Sequence, residues 1–425
     1  MLLRTIVATL LIVFLTISIS VAGPTHDSPL IPAITKPMLT LSAKNASLTR
    51  KNKQLARWVV RFKHRALAVG VSKQIFDSVM GEVRYRADVI EQDRNQSEFT
   101  KTIWDYLDVA VSENRVANGR RALRKWARTL DKIEVSYGVD REVIVAIWGL
   151  ESAYGRQRGD IPVFSALATL AFDGRRGTFF EAELIAALKI LQNGDTSAAQ
   201  MIGSWAGAMG HTQFIPTSYN KYAVEFSGDG RRDIWSDNPT DALASTAAYL
   251  AKFGWVKGKP WGVEVRLPAG FDYALAQRQI QKLPSVWAQS GVLAINGATI
   301  PDYGKAALLL PGGAEGAAFL VFQNFAVLEH YNTADAYVIA VGHLADRISG
   351  GTQIKAKWPR TNRALTFAER KELQRRLSEA GFNTRGVDGK IGPLTIAALR
   401  SFQHHIGVPA DGYASLKILK RLRRN

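Results

Sequence analysis

The sequence predicts a mainly α-helical protein with one small β subdomain. Apolar residues recur at helical spacing from about 54 to 255, as in Leu55, Val59 and Phe62. Between about 258 and 328 the pattern changes to short apolar runs separated by Gly and Pro, which is typical of strands. Helical spacing then returns in residues 334–348 and again in 366–425.

The N-terminus has the pattern of an export signal. Arg4 precedes a mostly Ile, Leu, Val and Phe stretch over 5–21, and small residues at Ser20 and Ala22 suit cleavage after Ala22. The apolar run is at the short limit for spanning a bilayer, so an uncleaved anchor is the alternative. We expect 1–22 to be a signal peptide, with no later transmembrane segment, and the mature protein to be soluble in the periplasm of a Gram-negative bacterium.

The composition excludes several kinds of chemistry. Cysteine is absent from the 425 residues, which excludes disulfides, thiolate metal sites, Cys nucleophiles and a lipoprotein anchored through an N-terminal Cys. The formal net charge of +18 indicates an acidic partner such as nucleic acid, an anionic membrane or a cell wall. We expect no nucleic-acid binding, because no helix-turn-helix with a basic face and no zinc spacing is present.

The elements follow one another in a simple order. Residues 23–53 are rich in Pro, Ser and Thr and predict a flexible leader. A main region over 54–350 follows, with predicted strands at 263–267, 306–310 and 317–321. Residues 351–365 indicate a linker, and 366–425 a separate helical module. From 355 to 425 there are 16 Lys and Arg against 5 Asp and Glu, a net charge of +11, so most of the net positive charge lies there.

One acidic residue stands out on a predicted helix over 141–154, with Asp140 as its N-cap. Glu151 lies four residues after Ile147 and seven after Ile144, and therefore on the apolar stripe. Burial favours the protonated form of a carboxyl group, which suits a general acid. The alternative is a helix-end Glu that pairs with Arg156.

A second segment, 203–219, combines three glycines with small and aromatic residues. Such a stretch lets a ligand approach the backbone and offers rings and amides for sugar recognition. The alternative is a tightly packed helix and turn.

Together these segments resemble the membrane-bound lytic murein transglycosylase B family, glycoside hydrolase family 103. The resemblance rests on Glu151-Ser152-Ala153-Tyr154-Gly155, Gly207-Ala208-Met209-Gly210, Gln213-Phe214-Ile215-Pro216 and Tyr331-Asn332, in that order. It implies a lysozyme-like helical catalytic core with an added helical domain and a small β subdomain. It also implies cleavage of the β-1,4 bond between MurNAc and GlcNAc in peptidoglycan glycan strands, with formation of a 1,6-anhydroMurNAc end.

The resemblance also implies residue roles. Glu151 is expected to be the single catalytic acid/base, and no cofactor is expected to be required. The remaining expected substrate contacts are Ser204, Gln213, Asn332, Tyr249, Tyr331 and Tyr337. Asp160, Asp173 and Glu181 are interpreted as caps or surface charges. A hydrolase with the same Glu, or a non-catalytic wall-binding scaffold, remain alternatives, and we expect a monomer.

A candidate calcium loop follows the second segment. Glu225, Ser227 and Asp229 have the spacing of an EF-hand start, and the resembled family can carry such a site with a later Asp, here Asp241. Position one is Glu and not Asp, and position twelve is Ser236 and not Glu. The alternative is a metal-free turn.

The C-terminal residues 366–425 resemble a peptidoglycan-binding type 1 domain, a bundle of about three helices. The motifs are Leu373-Gln374-Arg375-Arg376-Leu377, Val387-Asp388-Gly389 and Asp411-Gly412-Tyr413. The two Asp-Gly pairs predict turns before helices. We expect this module and its basic tail to hold the protein on an anionic wall or membrane surface.

Overall fold

The computed structural model describes residues 36–94 and 101–424. The predicted signal peptide, 1–22, lies outside these residues. Two compact units are present: the first unit contains 101–154 and 243–424, and the second unit contains 36–94 and 155–242. Within the described residues, no helix is both long enough and apolar enough to cross a membrane.

The mainly α prediction is confirmed. In chain order, the helices of the described residues are α1 (Lys36–Ala68), α2 (Lys73–Met80), α3 (Ala87–Arg94), α4 (Ile103–Ala110), α5 (Glu113–Lys125), α6 (Ala127–Tyr137), α7 (Arg141–Ser152), α8 (Val163–Asp173), α9 (Gly177–Gln192), α10 (Pro216–Tyr222), α11 (Thr240–Lys252), α12 (Pro284–Gln289), α13 (Gln323–Tyr331), α14 (Asp335–Ile348), α15 (Phe367–Glu379), α16 (Pro393–His405) and α17 (Leu416–Leu422). The strands are β1 (Ile161–Pro162), β2 (Ile202–Gly203), β3 (Gly262–Arg266), β4 (Gln281–Lys282), β5 (Leu293–Ala294), β6 (Ala306–Leu309) and β7 (Ala318–Val321).

The flexible-leader prediction is wrong for residues 36–53, which form the first half of α1. No Gly or Pro interrupts residues 38–53, so the backbone can continue upstream from the packed half of the helix. That half buries Leu55, Phe62 and Ala66. The rest of the predicted leader, 23–35, lies outside the described residues.

The small β subdomain forms where alternating apolar runs were predicted. Five antiparallel strands lie in the order β4-β6-β7-β3-β5. Its core is centred on Trp287, which is fully buried and donates its indole N–H to the carbonyl oxygen of Ala306 at 2.9 Å. Val265, Leu308 and Leu320 pack in the same cluster. The predicted strands at 263–267, 306–310 and 317–321 correspond to β3, β6 and β7.

The helical core of the first unit surrounds α7. Every residue of α7 from Val143 to Ser152 is buried, because α5, α6 and α14 all pack against it. Helix α14 is almost as apolar and buries Tyr337, Val338, Ile339 and Leu344. A polar group on the packed faces of these helices, such as Glu151, therefore lies in a surrounding with little water.

The C-terminal module is a three-helix unit, α15 to α17, in which the same hydrogen-bonded turn occurs twice. The side-chain amide of Gln374 donates to Asp388 at 3.0 Å and accepts from the N–H of Gly389 at 2.7 Å. In the same way Gln403 donates to Asp411 at 2.6 Å and accepts from the N–H of Gly412 at 2.7 Å. Both glycines have a φ of +75°, which only Gly adopts without strain. The two predicted Asp-Gly turns are thus each held by a buried Gln.

Three polar contacts hold the module against the β subdomain. The second carboxylate oxygen of Asp411 accepts from the N–H of Ala314 at 2.8 Å. Lys417 forms an ion pair with Glu315 at 2.6 Å. In addition, the guanidinium of Arg400 donates to a backbone carbonyl oxygen, that of Ala276, at 2.5 Å.

Candidate active site

Helix α7 begins at Arg141, and Asp140 occupies the N-cap position as predicted. The Asp140 side chain makes no hydrogen bond to the first turn of α7. It accepts instead from the indole N–H of Trp255 at 2.8 Å and from the N–H of Gly258 at 3.1 Å. The indole N–H of the buried Trp255 needs an acceptor, and this tertiary bond takes the carboxylate that a local rule assigns to the cap.

The end of α7 lies two residues before the predicted end. Ala153 and Tyr154 adopt left-handed conformations, with φ of +50° and +61°, directly after the helix. Such angles are costly for residues with a side chain and persist only when packing imposes them.

Tyr154 supplies that packing. A Cβ atom added at Gly149 would lie 2.5 Å from the Tyr154 ring, and one added at Gly119 would lie 2.7 Å from its hydroxyl. The ring therefore occupies the space that side chains on α7 and α5 would fill. Its hydroxyl donates to the carbonyl oxygen of Arg115 at 2.8 Å. Tyr154 thus fixes the chain three residues after Glu151, a role that sequence reasoning missed because only the fold brings the two glycines together.

Glu151 is buried near the end of α7, with 7% of its surface exposed. The hydroxyl of Tyr337, on α14, donates a hydrogen bond to Glu151 Oε1 at 2.6 Å. Burial, and then the negative charge of Glu151, raises the pKa of Tyr337 well above its ordinary value. The phenol therefore keeps its proton and remains a donor to the carboxyl group at any working pH.

The other three predicted residues of the first unit lie close to this pair. The Tyr249 hydroxyl donates to the carbonyl oxygen of His330 at 2.6 Å, and its ring meets that of Tyr331 edge-on at 5.3 Å. Tyr331 in turn lies close enough to Tyr337 to contribute to the raised pKa of Tyr337. Asn332 is 7% exposed, and its side-chain oxygen accepts from the N–H of Ala334 just before α14.

The predicted residues Ser204 and Gln213 belong to the second unit. Ser204 closes a tight turn in which its hydroxyl accepts from the N–H of Ala208 at 3.1 Å. Gln213 is 7% exposed and has a φ of +54°, an uncommon value for a residue with a side chain. Its amide donates to the carbonyl oxygens of Gly210 at 2.9 Å and Arg158 at 3.1 Å. The loop around both residues is therefore shaped by side-chain bonds to backbone.

His211 lies in the same loop and has a structural role. It is 3% exposed, and its Nε2 lies 2.7 Å from the carbonyl oxygen of Ser236. Burial lowers the pKa of His211, so that the ring is neutral and donates to this carbonyl. Arg158 donates to the same oxygen at 2.8 Å. The two side chains brace the loop from its interior.

The three nearby acidic residues behave as surface charges. Asp173 pairs with Arg94 at 2.9 Å, and Glu181 accepts two hydrogen bonds from Arg65. Asp160 is exposed. Their placement agrees with the interpretation of these residues as caps or surface charges.

The predicted calcium residues come together in one loop of the second unit. Carboxylate oxygens of Glu225, Asp229 and Asp241 all lie within 4.8 Å of one another. The Ser227 hydroxyl lies 3.3 Å from Glu225 and 3.4 Å from Asp241. Oxygen donors at this separation suit a hard divalent cation. Burial and, to a smaller extent, the charge of Glu225 raise the pKa of Asp241. The N–H groups of Phe226, Asp233 and Ser227, which donate to its carboxylate, act in the opposite direction.

Comparison with known proteins identifies the family. Residues 54–346 match the transglycosylase SLT domain, and residues 368–422 match a putative peptidoglycan binding domain. The chain therefore belongs to the SLT transglycosylase family. The relatives described below are lytic transglycosylases, enzymes that cleave peptidoglycan. The resemblance to the lytic transglycosylase B family and to a peptidoglycan-binding module is confirmed.

Individual relatives agree with this assignment. Membrane-bound lytic murein transglycosylase B of Escherichia coli K12 is 33% identical over 257 residues, which cover 57% of this chain and 66% of the relative, just under two thirds of its length. The crystal structure of SltB3 from Pseudomonas aeruginosa with NAG-anhNAM-pentapeptide matches with a TM-score of 0.85 and 49% identity, over 87% of this chain and 99% of SltB3. The structure of Escherichia coli Slt35 with calcium matches with a TM-score of 0.59 and 28% identity, over 70% of this chain and 93% of Slt35.

The Gly149 contact yields a stability prediction. We expect Gly149→Ala to destabilise the protein by about 1–3 kcal/mol, because the new methyl group overlaps the Tyr154 ring. The midpoint of urea unfolding, followed by tryptophan fluorescence, measures the change. Gly81→Ala is the matched control, since Gly81 has a φ of −67° and an added Cβ would meet no atom closer than 4.0 Å. Equal midpoints for the two variants would show that Tyr154 does not constrain the end of α7.

Proposed function

We propose that the protein is a periplasmic lytic transglycosylase that cleaves the β-1,4 bond between MurNAc and GlcNAc and leaves a 1,6-anhydroMurNAc end. The observation that carries this proposal is the buried Glu151 carboxyl group, held at one oxygen by the Tyr337 hydroxyl at 2.6 Å. Two crystal structures of SltB3 from Pseudomonas aeruginosa, in complex with NAG-anhNAM-pentapeptide and with NAG-NAM-pentapeptide, support the product and the substrate, respectively.

Glu151 first acts as a general acid. The Tyr337 hydroxyl occupies Oε1, so the proton that is transferred lies on Oε2. This proton passes to the glycosidic oxygen as the bond from that oxygen to C1 of MurNAc breaks, and the GlcNAc hydroxyl leaves. The acetamido oxygen of the substrate stabilises the positive charge at C1.

Glu151, now a carboxylate, then acts as a base. It accepts the proton of the MurNAc C6 hydroxyl while that oxygen bonds to C1, which closes the 1,6-anhydro ring and restores the protonated acid. An intramolecular nucleophile has a high effective concentration, and a site that excludes water favours ring closure over hydrolysis. No second carboxylate is needed, in contrast to ordinary glycosidases.

Two substitutions test these roles. We expect Glu151→Gln to abolish release of anhydro-muropeptides, because an amide neither donates nor accepts the proton. We expect Tyr337→Phe to lower kcat by about 10- to 100-fold and to move the alkaline limb of the pH profile upward, since a carboxylate that loses a donated hydrogen bond holds its proton more tightly. Both are measured as the release of muropeptides from purified sacculi, resolved by mass spectrometry.

Tyr303→Phe serves as the control for loss of a phenol hydroxyl, since Tyr303 lies in the β subdomain. Continued release of anhydro products by Glu151→Gln would refute the assignment of the acid. Products that carry one additional water would show that the enzyme is a hydrolase. Absence of any cleavage by the wild type would favour the wall-binding scaffold.

We further propose that the C-terminal module binds the wall partly through an exposed basic face. Lys420, Arg421 and Arg424 are exposed and form no ion pair among the described residues. Lys417 and Arg423, by contrast, pair with Glu315 and Glu372. The cationic face is therefore smaller than the sequence alone indicates. A bound module also raises the local concentration of substrate at the catalytic site.

Neutralising this face is expected to weaken wall binding. The triple variant Lys420→Gln, Arg421→Gln, Arg424→Gln removes three positive charges and so reduces both sacculus affinity and its dependence on salt. Co-sedimentation with sacculi at increasing NaCl measures both quantities. The control removes three exposed charges from α1 through Lys53→Gln, Arg57→Gln and Arg61→Gln. Equal losses in the two triple variants would contradict a specific role for the module.

We propose in addition that Glu225, Asp229 and Asp241 hold a structural Ca²⁺, with Ser227 beside them. The crowding of three carboxylates within 4.8 Å supports the proposal, as does the Slt35 structure with calcium. The ion would offset the repulsion between these carboxylates and fix the loop before α11. It would take no part in bond cleavage.

Calcium is then expected to stabilise the folded protein. At a concentration 100 times Kd, a ligand of the native state contributes about 2.7 kcal/mol, which raises Tm by several degrees. Differential scanning fluorimetry with CaCl₂ and with EDTA measures this shift. Asp229→Asn is expected to reduce the shift, whereas Asp160→Asn, a change at an exposed acid of the same unit, leaves it intact. A wild-type Tm that is the same with CaCl₂ and EDTA would exclude the ion.

A further inference from the structure

A cleft that Glu151 does not line lies within the first unit, between α4, the start of α5, the end of α14 and residues 353–360, which we call the strap. Its volume is about 630 Å³, within the range of ligand-binding sites. The polar side chains that line it include Ser112, His343, Arg347 and Lys357, and its apolar wall includes Trp358.

The strap is held in place and is not a loose linker. Gln353 donates to Glu113 at 2.9 Å, and the N–H groups of residues 355 and 356 donate to the Glu264 carboxylate at 2.7–3.1 Å. Farther along, the guanidinium of Arg360 donates two hydrogen bonds to Asp108, at 2.6 and 2.9 Å. The Trp358 ring rests on Trp104, with ring centroids 6.1 Å apart. The outer wall of the cleft is thus preformed.

His343 is the strongest sign of a ligand. It is 8% exposed, lines the cleft and forms no hydrogen bond or ion pair among the described residues. Burial, and then the charge of Arg347, lowers its pKa to about 4, so the ring is neutral near pH 7. The ring nitrogens are not among the fully buried side-chain atoms without a partner in the described residues, so a molecule in the cleft can reach them. A neutral imidazole facing a cleft offers one donor and one acceptor to a bound molecule.

The charges around the cleft favour an anion. Both carboxylates that line it are already engaged, Asp108 with Arg360 and Glu113 with Arg347 and Gln353. Lys357 is exposed and forms no ion pair among the described residues. A ligand would therefore meet a free ammonium group, a neutral imidazole and the Trp358 wall.

We propose that the strap cleft binds an acidic peptide, namely the carboxylate-bearing peptide stem of a peptidoglycan fragment. The ligand carboxylate pairs with Lys357, a peptide group hydrogen-bonds to His343, and the aliphatic side chains of the stem pack on Trp358. Binding there anchors one stem away from the bond that is cleaved. The choice of a wall peptide rests on the proposed function, whereas the existence of an acidic-peptide site does not.

The test uses the full-length protein and a synthetic stem pentapeptide with free carboxylates and no sugar. Isothermal titration calorimetry measures affinity, and hydrogen exchange with mass spectrometry locates the contact. We expect saturable binding with protection at 103–113, 343–348 and 353–360. Lys357→Gln should weaken binding by about 2- to 5-fold, as for loss of one exposed ion pair. His343→Leu should weaken it by about tenfold through loss of a hydrogen bond.

Lys355→Gln is the matched control, because Lys355 is an exposed lysine of the strap that does not line the cleft. It should change the affinity by less than twofold, and the same peptide with amidated carboxylates should bind more weakly. Equal effects of Lys355→Gln and Lys357→Gln, protection outside the cleft, or protection by chitotetraose in place of the peptide would each overturn the proposal.

Cleavage of sacculi by the wild type is assayed in parallel. Cleavage without peptide binding refutes the strap site alone. Peptide binding without cleavage refutes the proposed transglycosylase and leaves the acidic-peptide site standing.

Discussion

The hydrogen bond from the Tyr337 hydroxyl to Glu151 Oε1 is the contact on which the candidate chemistry depends. It joins α7 to α14, two helices that bury nearly all of their residues against each other and against α5. A carboxyl group in such a place is destabilising unless a donor satisfies it. The phenol meets this requirement without adding charge, so Glu151 remains able to exchange its own proton. The surrounding helices therefore control the acidity of Glu151, because they exclude water and fix the direction from which the Tyr337 hydroxyl donates.

The turn after α7 shows how that position is maintained. Two successive residues with side chains, Ala153 and Tyr154, take left-handed conformations that are intrinsically unfavourable. The Tyr154 ring packs where Gly149 and Gly119 lack side chains, and this contact offsets the strain. Gly149 lowers the helix propensity of α7, but the space it leaves for the Tyr154 ring fixes the conformation of the chain directly after the helix. The second unit uses a related device at Gln213, whose left-handed backbone accompanies amide bonds to neighbouring carbonyl oxygens.

Carboxylates organise the C-terminal half of the first unit by accepting bonds from two elements at once. Asp411 completes a turn of its own module with one oxygen and accepts from the β subdomain with the other. Glu264 on β3 accepts from the backbone of the strap, and Glu113 accepts from both Arg347 and Gln353. Asp411 is one of only five Asp and Glu residues in the strongly basic region 355–425. These contacts leave the remaining positive charge on an exposed face and beside the strap cleft.

Local patterns were sufficient to predict the main elements: β3, β6 and β7, helix α14, the three-helix module, and Glu151 on an apolar stripe. These follow from periodicity and turn chemistry, which act between residues close in the chain. The helical state of residues 36–53, the engagement of Asp140 by Trp255 and the early end of α7 at Ser152 did not follow. For Asp140 and for the end of α7, a contact between distant segments decides the outcome, because the Trp255 indole and the Tyr154 ring override the local preference. Residues 36–53 are helical because α1 continues upstream from its packed half. The sequence by itself determined which residues can serve as the acid, as wall-binding cations or as metal ligands, because these roles depend on residue type and local spacing. Only the tertiary structure decided which hydrogen-bond donors contact the acid and which basic side chains are left without an ion pair, because those partners come from distant parts of the chain.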